Sequence, residues 1–118
     1  MKYMLLVYLD EHALTPSERD ACYNDSAALT RDLNDEGKYV DASPLHLTDM
    51  ATSVRYRGGK RLVTDGPFAE THEQLGGYYI VEAKDLDEAI GIASRIPVVN
   101  VGTIEIRPIM EIPGLPNK

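Results

Sequence analysis

Two short stretches of this chain, Tyr3 to Leu9 and Gly76 to Ala83, are rich in branched and aromatic residues and lack the polar alternation of a strand with one wet face. A strand with apolar side chains on both faces belongs in the middle of a sheet, covered on two sides. Each is followed by a helix start signal. Thr15-Pro16-Ser17-Glu18 supplies an N-cap, a proline at the first helical position and a glutamate placed for a capping box, and Asp85-Leu86-Asp87-Glu88 repeats the logic. Gly37 stands where a C-cap glycine belongs, and Pro97 stops the second helix. The first helix has Cys22, Leu29 and Leu33 as its apolar stripe, with Ala21, Ser26 and Ala28 as small fillers. The second has Leu86, Ala89, Ile90, Ala93 and Ile96.

Between these two units, Tyr39 to Leu47 reads as a shorter strand interrupted near Pro44, and a proline without an N–H places it at a sheet edge. Thr52 to Arg57 and Lys60 to Thr64 flank Gly58-Gly59, which signals a hairpin, and Asp65-Gly66-Pro67 is a turn. Thr103 to Ile112 closes the domain as a strand with Ile104, Ile106 and Met110 on one side and Glu105, Arg107 and Ile109 on the other; the tail from Pro113 reads as loop. This order is a duplicated βαβ layout with an extra hairpin, the ferredoxin-like pattern of an α+β domain. With 118 residues and 43% hydrophobic content, residues 1–118 are expected to form a single domain around one core. Two helices on one face leave the other face open. Because Met4, Leu6 and Tyr8 oppose Tyr3, Leu5, Val7 and Leu9, a second copy is expected to cover it, giving a homodimer with facing sheets.

A formal charge of -7 sets the chain against nucleic-acid backbones. Arg55, Arg57, Lys60 and Arg61 form a local basic cluster at the hairpin tip with one interleaved aromatic, Tyr56, and read as a solvated hairpin. The lone Cys22 excludes an intramolecular disulfide and reads as a core thiol. Met1 to Leu9 has one positive charge and is followed at once by Asp10 and Glu11, so no signal peptide is expected, and no apolar run reaches the ~20 residues of a membrane span. The protein is therefore expected in the cytoplasm, with no membrane association. No pair of ligating residues has zinc or non-haem iron spacing, and no phosphate loop or nucleophile elbow occurs, so neither metal nor cofactor is expected.

At Asp65-Gly66-Pro67-Phe68-Ala69-Glu70-Thr71, followed by Glu73-Gln74-Leu75-Gly76-Gly77-Tyr78-Tyr79, the chain resembles the DGPF branch of the YCII-related family. Lys2-Tyr3-Met4-Leu5-Leu6, Asp85-Leu86-Asp87-Glu88-Ala89, Arg95-Ile96-Pro97 and Glu105-Ile106-Arg107-Pro108 extend the resemblance over nearly the whole chain. It implies a ferredoxin-like fold that pairs into a dimeric α/β barrel, with a cleft in each subunit beside the sheet. Relatives such as a dehydrochlorinase of chlorinated hydroxyquinones imply proton-transfer or elimination chemistry. The YciI-like branch implies a His and Asp pair with the His in the first helix. Here that helix, Pro16 to Gly37, holds no histidine and Tyr23 stands about where one belongs, while His72 occupies a position that usually carries Lys in the DGPF branch.

Asp65, at a strand end beside a Gly-Pro turn, is the first candidate for a base or an orienting group; an aspartate before glycine also caps its own turn. His72, seven residues on, is its candidate partner, oriented by Asp65 or Glu70, against the alternative of an exposed loop histidine. Phe68 is expected as a core plug or cleft wall. Tyr8, Asp10 and Tyr79 are candidates for the same cleft, and core packing explains the tyrosines equally well. Arg107 lies mid-strand among apolar residues and is expected to meet a carboxylate or an anionic ligand. His12 and His46 read as surface or satisfied polar groups. Two functions stand side by side: a homodimeric protein for a small organic ligand, including an enzyme of proton-transfer or elimination chemistry, and a non-enzymatic ligand-binding or protein-interaction module.

Overall fold

The computed structural model describes residues 1–116. Along the chain come β1 (Lys2–Leu9), α1 (Pro16–Asp35), β2 (Tyr39–Pro44), β3 (Thr52–Arg57), β4 (Lys60–Asp65), β5 (Gln74–Glu82), α2 (Leu86–Ala93) and β6 (Gly102–Pro108), with 3₁₀ turns at Thr48–Met50 and Pro97–Asn100. Four strands form an antiparallel sheet in the order β2-β5-β1-β6, and β3 and β4 form a separate hairpin. Leaving out the hairpin, this is βαββαβ with the ferredoxin-like strand order.

The two doubly apolar strands take the two central places. Tyr3, Leu5 and Val7 of β1 and Tyr79 and Val81 of β5 are buried on the face that carries the helices. Met4, Leu6 and Tyr8, with Tyr78 and Ile80, lie half-buried on the opposite face. The edge strands give that second face a polar rim: the register sets Asp41 beside Ile80, Glu105 beside Leu6 and Arg107 beside Met4. Tyr78 donates its hydroxyl to the Asp41 carboxylate at 2.9 Å.

Thr15 and Glu18 close the expected capping box, Glu18 N–H donating to Thr15 Oγ1 at 3.1 Å and Thr15 N–H to Glu18 Oε1 at 2.9 Å. Leu29 and Leu33 bury the C-terminal half of α1, and Gly37 ends the helix at φ +74°, where its missing Cβ removes the steric penalty. Beyond the helix end, Glu36 accepts both guanidinium forks of Arg95, at 3.0 and 2.8 Å, joining α1 to the segment after α2.

Several expectations change at the element ends and faces. The second helix stops at Ala93, with Ser94 as its C-cap. Its buried side is Ala89, Ile92 and Ala93, continued by Ile96, whereas Leu86 and Ile90 are exposed. A stripe of four at spacings of three, one and three is the tighter helical face. In α1, Ala21 is exposed and Cys22 is half-buried against the core. β2 ends at Pro44, as a residue without a ladder N–H requires at an edge, and β6 ends at Pro108 for the same reason. Met110 is 78% exposed and so does not extend the Ile104 and Ile106 side. Among the described residues, no helix is long and apolar enough to cross a membrane.

Candidate functional site

Small side chains face one another across the space between α1 and the sheet. Cys22, Ser26 and Ala27 project from α1, while Gly76, Gly77 and Ala42 present little or no side chain from β5 and β2. Protein interiors otherwise pack at crystal-like density, so two facing walls of small residues leave a void. Here it is a cleft of about 320 Å³ floored by Val7, Leu9, Tyr79, Ile96 and Val98. The glycines are set by backbone geometry as well. Gly76 sits at the register shift between β1 and β5, and a Cβ on Gly77 would lie 2.9 Å from the Ser43 carbonyl oxygen. The same bare backbone that lets β2 approach closely also opens the cleft.

The polar groups of the cleft come from α1 and from the end of β1. Arg19, Tyr23, Ser26 and Thr30 line it at spacings of four, three and four, a single helical face. Arg19 Nη2 donates to the Glu11 carbonyl at 3.1 Å. The Glu11 carboxylate is held away by Thr48, accepting its N–H at 2.8 Å and its hydroxyl at 2.5 Å. Deeper in, burial raises the Tyr79 phenol above its ordinary value of 10.0, with Ser26 pulling it partly back. Burial likewise raises the Cys22 thiol, helped by Asp25 and Glu18, so it stays a protonated and poor nucleophile. The cleft thus offers apolar walls, neutral hydroxyls and one cation. Such a set holds and orients a ligand.

Of the residues singled out from sequence, Tyr79 lines this cleft. Asp65 is exposed at the end of β4, and Gly66 after it takes φ +109°, the turn conformation expected there. His72 is exposed, and no hydrogen bond joins it to Asp65 or Glu70 among the described residues. Phe68 is 76% exposed and so is not a core plug; its ring lies 5.2 Å from the Arg55 guanidinium carbon. Tyr8 faces the open side of the sheet, away from the helices. Asp10 Oδ1 accepts the His12 N–H at 2.9 Å, tying the turn after β1. Arg107 is not enclosed among apolar groups: it reaches Glu105 at 3.7 Å in a solvent-exposed pair near the end of β6. Among the described residues no three His, Cys, Asp or Glu converge to hold a metal ion.

The cleft residues that sequence reading passed over are Glu11, Arg19 and Thr30, together with Ser26, taken only as a filler, and Tyr23, noted only as standing where the YciI-like branch carries its histidine. A signal was available in the regular spacing of Arg19, Tyr23, Ser26 and Thr30, a polar face running beside the apolar stripe of the same helix.

Comparison with known proteins places the chain in context. Residues 1–113 match the family model of the YCII-related domain. An uncharacterised protein of Rhizobium meliloti is 36% identical over 114 residues, covering 92% of each chain. A solved structure of 5-chloro-2-hydroxyhydroquinone dehydrochlorinase from Burkholderia phenoliruptrix, in complex with 2,5-dihydroxybenzoquinone, superposes with a TM-score of 0.49 at 13% identity. That match covers 93% of this chain and 94% of the other.

Proposed function

This chain belongs to the YCII-related family, and from that premise we propose that it is a small-molecule-binding protein whose ligand lies in the cleft between α1 and the sheet. The observation that carries this reading is the pair of facing small-residue walls, which keeps about 320 Å³ open beside a helix bearing four polar side chains on the cleft side. A core selected for packing alone would fill such a space with larger side chains. The chemistry on offer is hydrogen bonding from neutral groups and from the Arg19 guanidinium. Tyr79 and Cys22 both hold their protons, and the Glu11 carboxylate is engaged with Thr48. Binding and orientation of a ligand come first.

We also propose that the open sheet face pairs with a second copy. Met4, Leu6, Tyr8, Tyr78 and Ile80 form an apolar strip there, with a polar rim that suits an interface better than a bare surface. The cleft opens on the helix side, so pairing through the other face would leave it accessible.

A thermal-shift screen of small organic acids, phenols and neutral aromatics tests the binding reading, using wild type and Ser26→Phe. A ligand near 100 times its Kd stabilises by about 2.7 kcal/mol. The reading expects a compound that raises the melting temperature of wild type and leaves Ser26→Phe unmoved, because phenylalanine fills the cleft. Equal stabilisation of both proteins would place the ligand elsewhere.

A further inference from the structure

We propose that the cleft takes an anionic ligand, a small molecule with a largely apolar body and one carboxylate held by Arg19. This rests on the reading of the cleft as a binding site and adds the charge and orientation of what it binds.

Arg19 is the exception on its helix. α1 carries Glu18, Asp20, Asp25, Asp32 and Asp35, and of its basic residues Arg19 lines the cleft. A half-buried guanidinium normally has a carboxylate partner. Among the described residues none lies within 4.0 Å of this one. Its one side-chain hydrogen bond among the described residues is the 3.1 Å bond from Nη2 to the Glu11 carbonyl, out of the five N–H donors that a guanidinium carries. Glu11 lines the same end of the cleft, but its carboxylate is fixed on Thr48. The bond to the Glu11 carbonyl anchors the guanidinium at the cleft end without neutralising it. Tyr23 stands one helical turn on, 40% exposed, and adds a second polar side chain to the cleft lining. Beyond this polar end the floor is Val7, Leu9, Ile96 and Val98, which gives the ligand a direction: acid at the Arg19 end, apolar body inward under Ser26 and Tyr79.

The competing explanation is that Arg19 only ties down the turn after β1. A tie would affect stability and would be indifferent to the charge of a bound molecule, so the discriminating quantity is acid against amide. Calorimetric titration of wild type, Arg19→Gln and Arg19→Lys with 2-naphthoate and 2-naphthamide at neutral pH separates the two. A charge-assisted hydrogen bond corresponds to at least roughly a tenfold preference. The proposal expects wild type to bind the acid about tenfold or more tightly than the amide, Arg19→Gln to lose that preference while keeping its affinity for the amide, and Arg19→Lys to keep part of it. Equal binding of acid and amide by wild type, or a preference that survives in Arg19→Gln, would overturn the role of Arg19 while leaving the cleft a binding site. Should Arg19→Gln fail to fold, Arg19→Lys decides the point: a preference below that of wild type supports the role of Arg19, and one equal to wild type overturns it. Binding of neither probe, with wild type and Ser26→Phe responding alike to every compound screened, would overturn the cleft reading and this inference with it.

Discussion

At the scale of single residues the cleft depends on what is missing as much as on what is present. Gly76, Gly77 and Ala42 leave room, and Tyr79 stands at the back of it with a phenol that burial keeps protonated. That burial has a consequence for stability against pH. The folded state holds the Tyr79 proton above the ordinary value of 10.0, where the unfolded chain releases it. The stabilisation is whole below that value and is lost as pH rises through the higher folded value. Melting temperatures measured across about pH 9 to 11 should fall less steeply for Tyr79→Phe than for wild type; parallel curves would mean that the phenol is not shielded from water. Tyr79 was legible in the sequence as a residue torn between core and a cleft at the Asp65 turn; it is buried in the core and lines instead the space between α1 and the sheet. Arg19 was not, because an arginine in the first turns of an acidic helix looks like an ordinary solvated charge until the strands opposite are known to carry glycines.

At the scale of elements the legible parts were those with local chemical causes. The capping box of α1, the Gly58-Gly59 hairpin and the edge position of β2 follow from hydrogen-bonding groups within a few residues of one another. The buried side of α2 was misread because Ile90 and Ile92 are equally apolar, and the sheet beneath chooses between them. The Asp65 to His72 loop could not be placed from its residues, since its position depends on where the hairpin projects. That hairpin is exposed along nearly its whole length: Val54, Tyr56 and Val63 are 59%, 65% and 59% exposed, and its four basic residues are a third of the twelve in the chain. β3 and β4 pack chiefly on each other. Replacing Thr52 to Asp65 with a short Gly-Ser loop should therefore leave the sheet and α1 folded, with a melting temperature within about 4 °C of wild type, since surface elements away from the core contribute little. Loss of the cooperative transition would show that the hairpin is part of the folding unit.

At the scale of the molecule the shape follows from one layer of helices on one sheet. The smallest extent is 21 Å and the radius of gyration is 16.1 Å, above the ~13 Å of a compact chain of this length. The extended hairpin and the one-sided sheet both contribute to the excess. If the open face pairs with a second copy, Leu6→Glu sets a charge in the middle of the apolar strip without touching the core, because Leu6 points away from the helices. Light scattering should then give twice the 13.1 kDa of one chain for wild type and a single chain for the variant; equal masses for the two proteins would remove this face as the interface. The ferredoxin-like order was visible in the succession of elements, whereas the cleft arises only when α1 is laid across β5 and β2. For that reason the location of the ligand is the point to measure most directly. Amide chemical shifts of ¹⁵N-labelled protein, titrated with a compound that raises its melting temperature, report that location residue by residue. The account predicts perturbations along Arg19, Tyr23, Ser26 and Thr30 and across Gly76 to Tyr79. Perturbations confined to Asp65 through His72, with α1 unmoved, would contradict it.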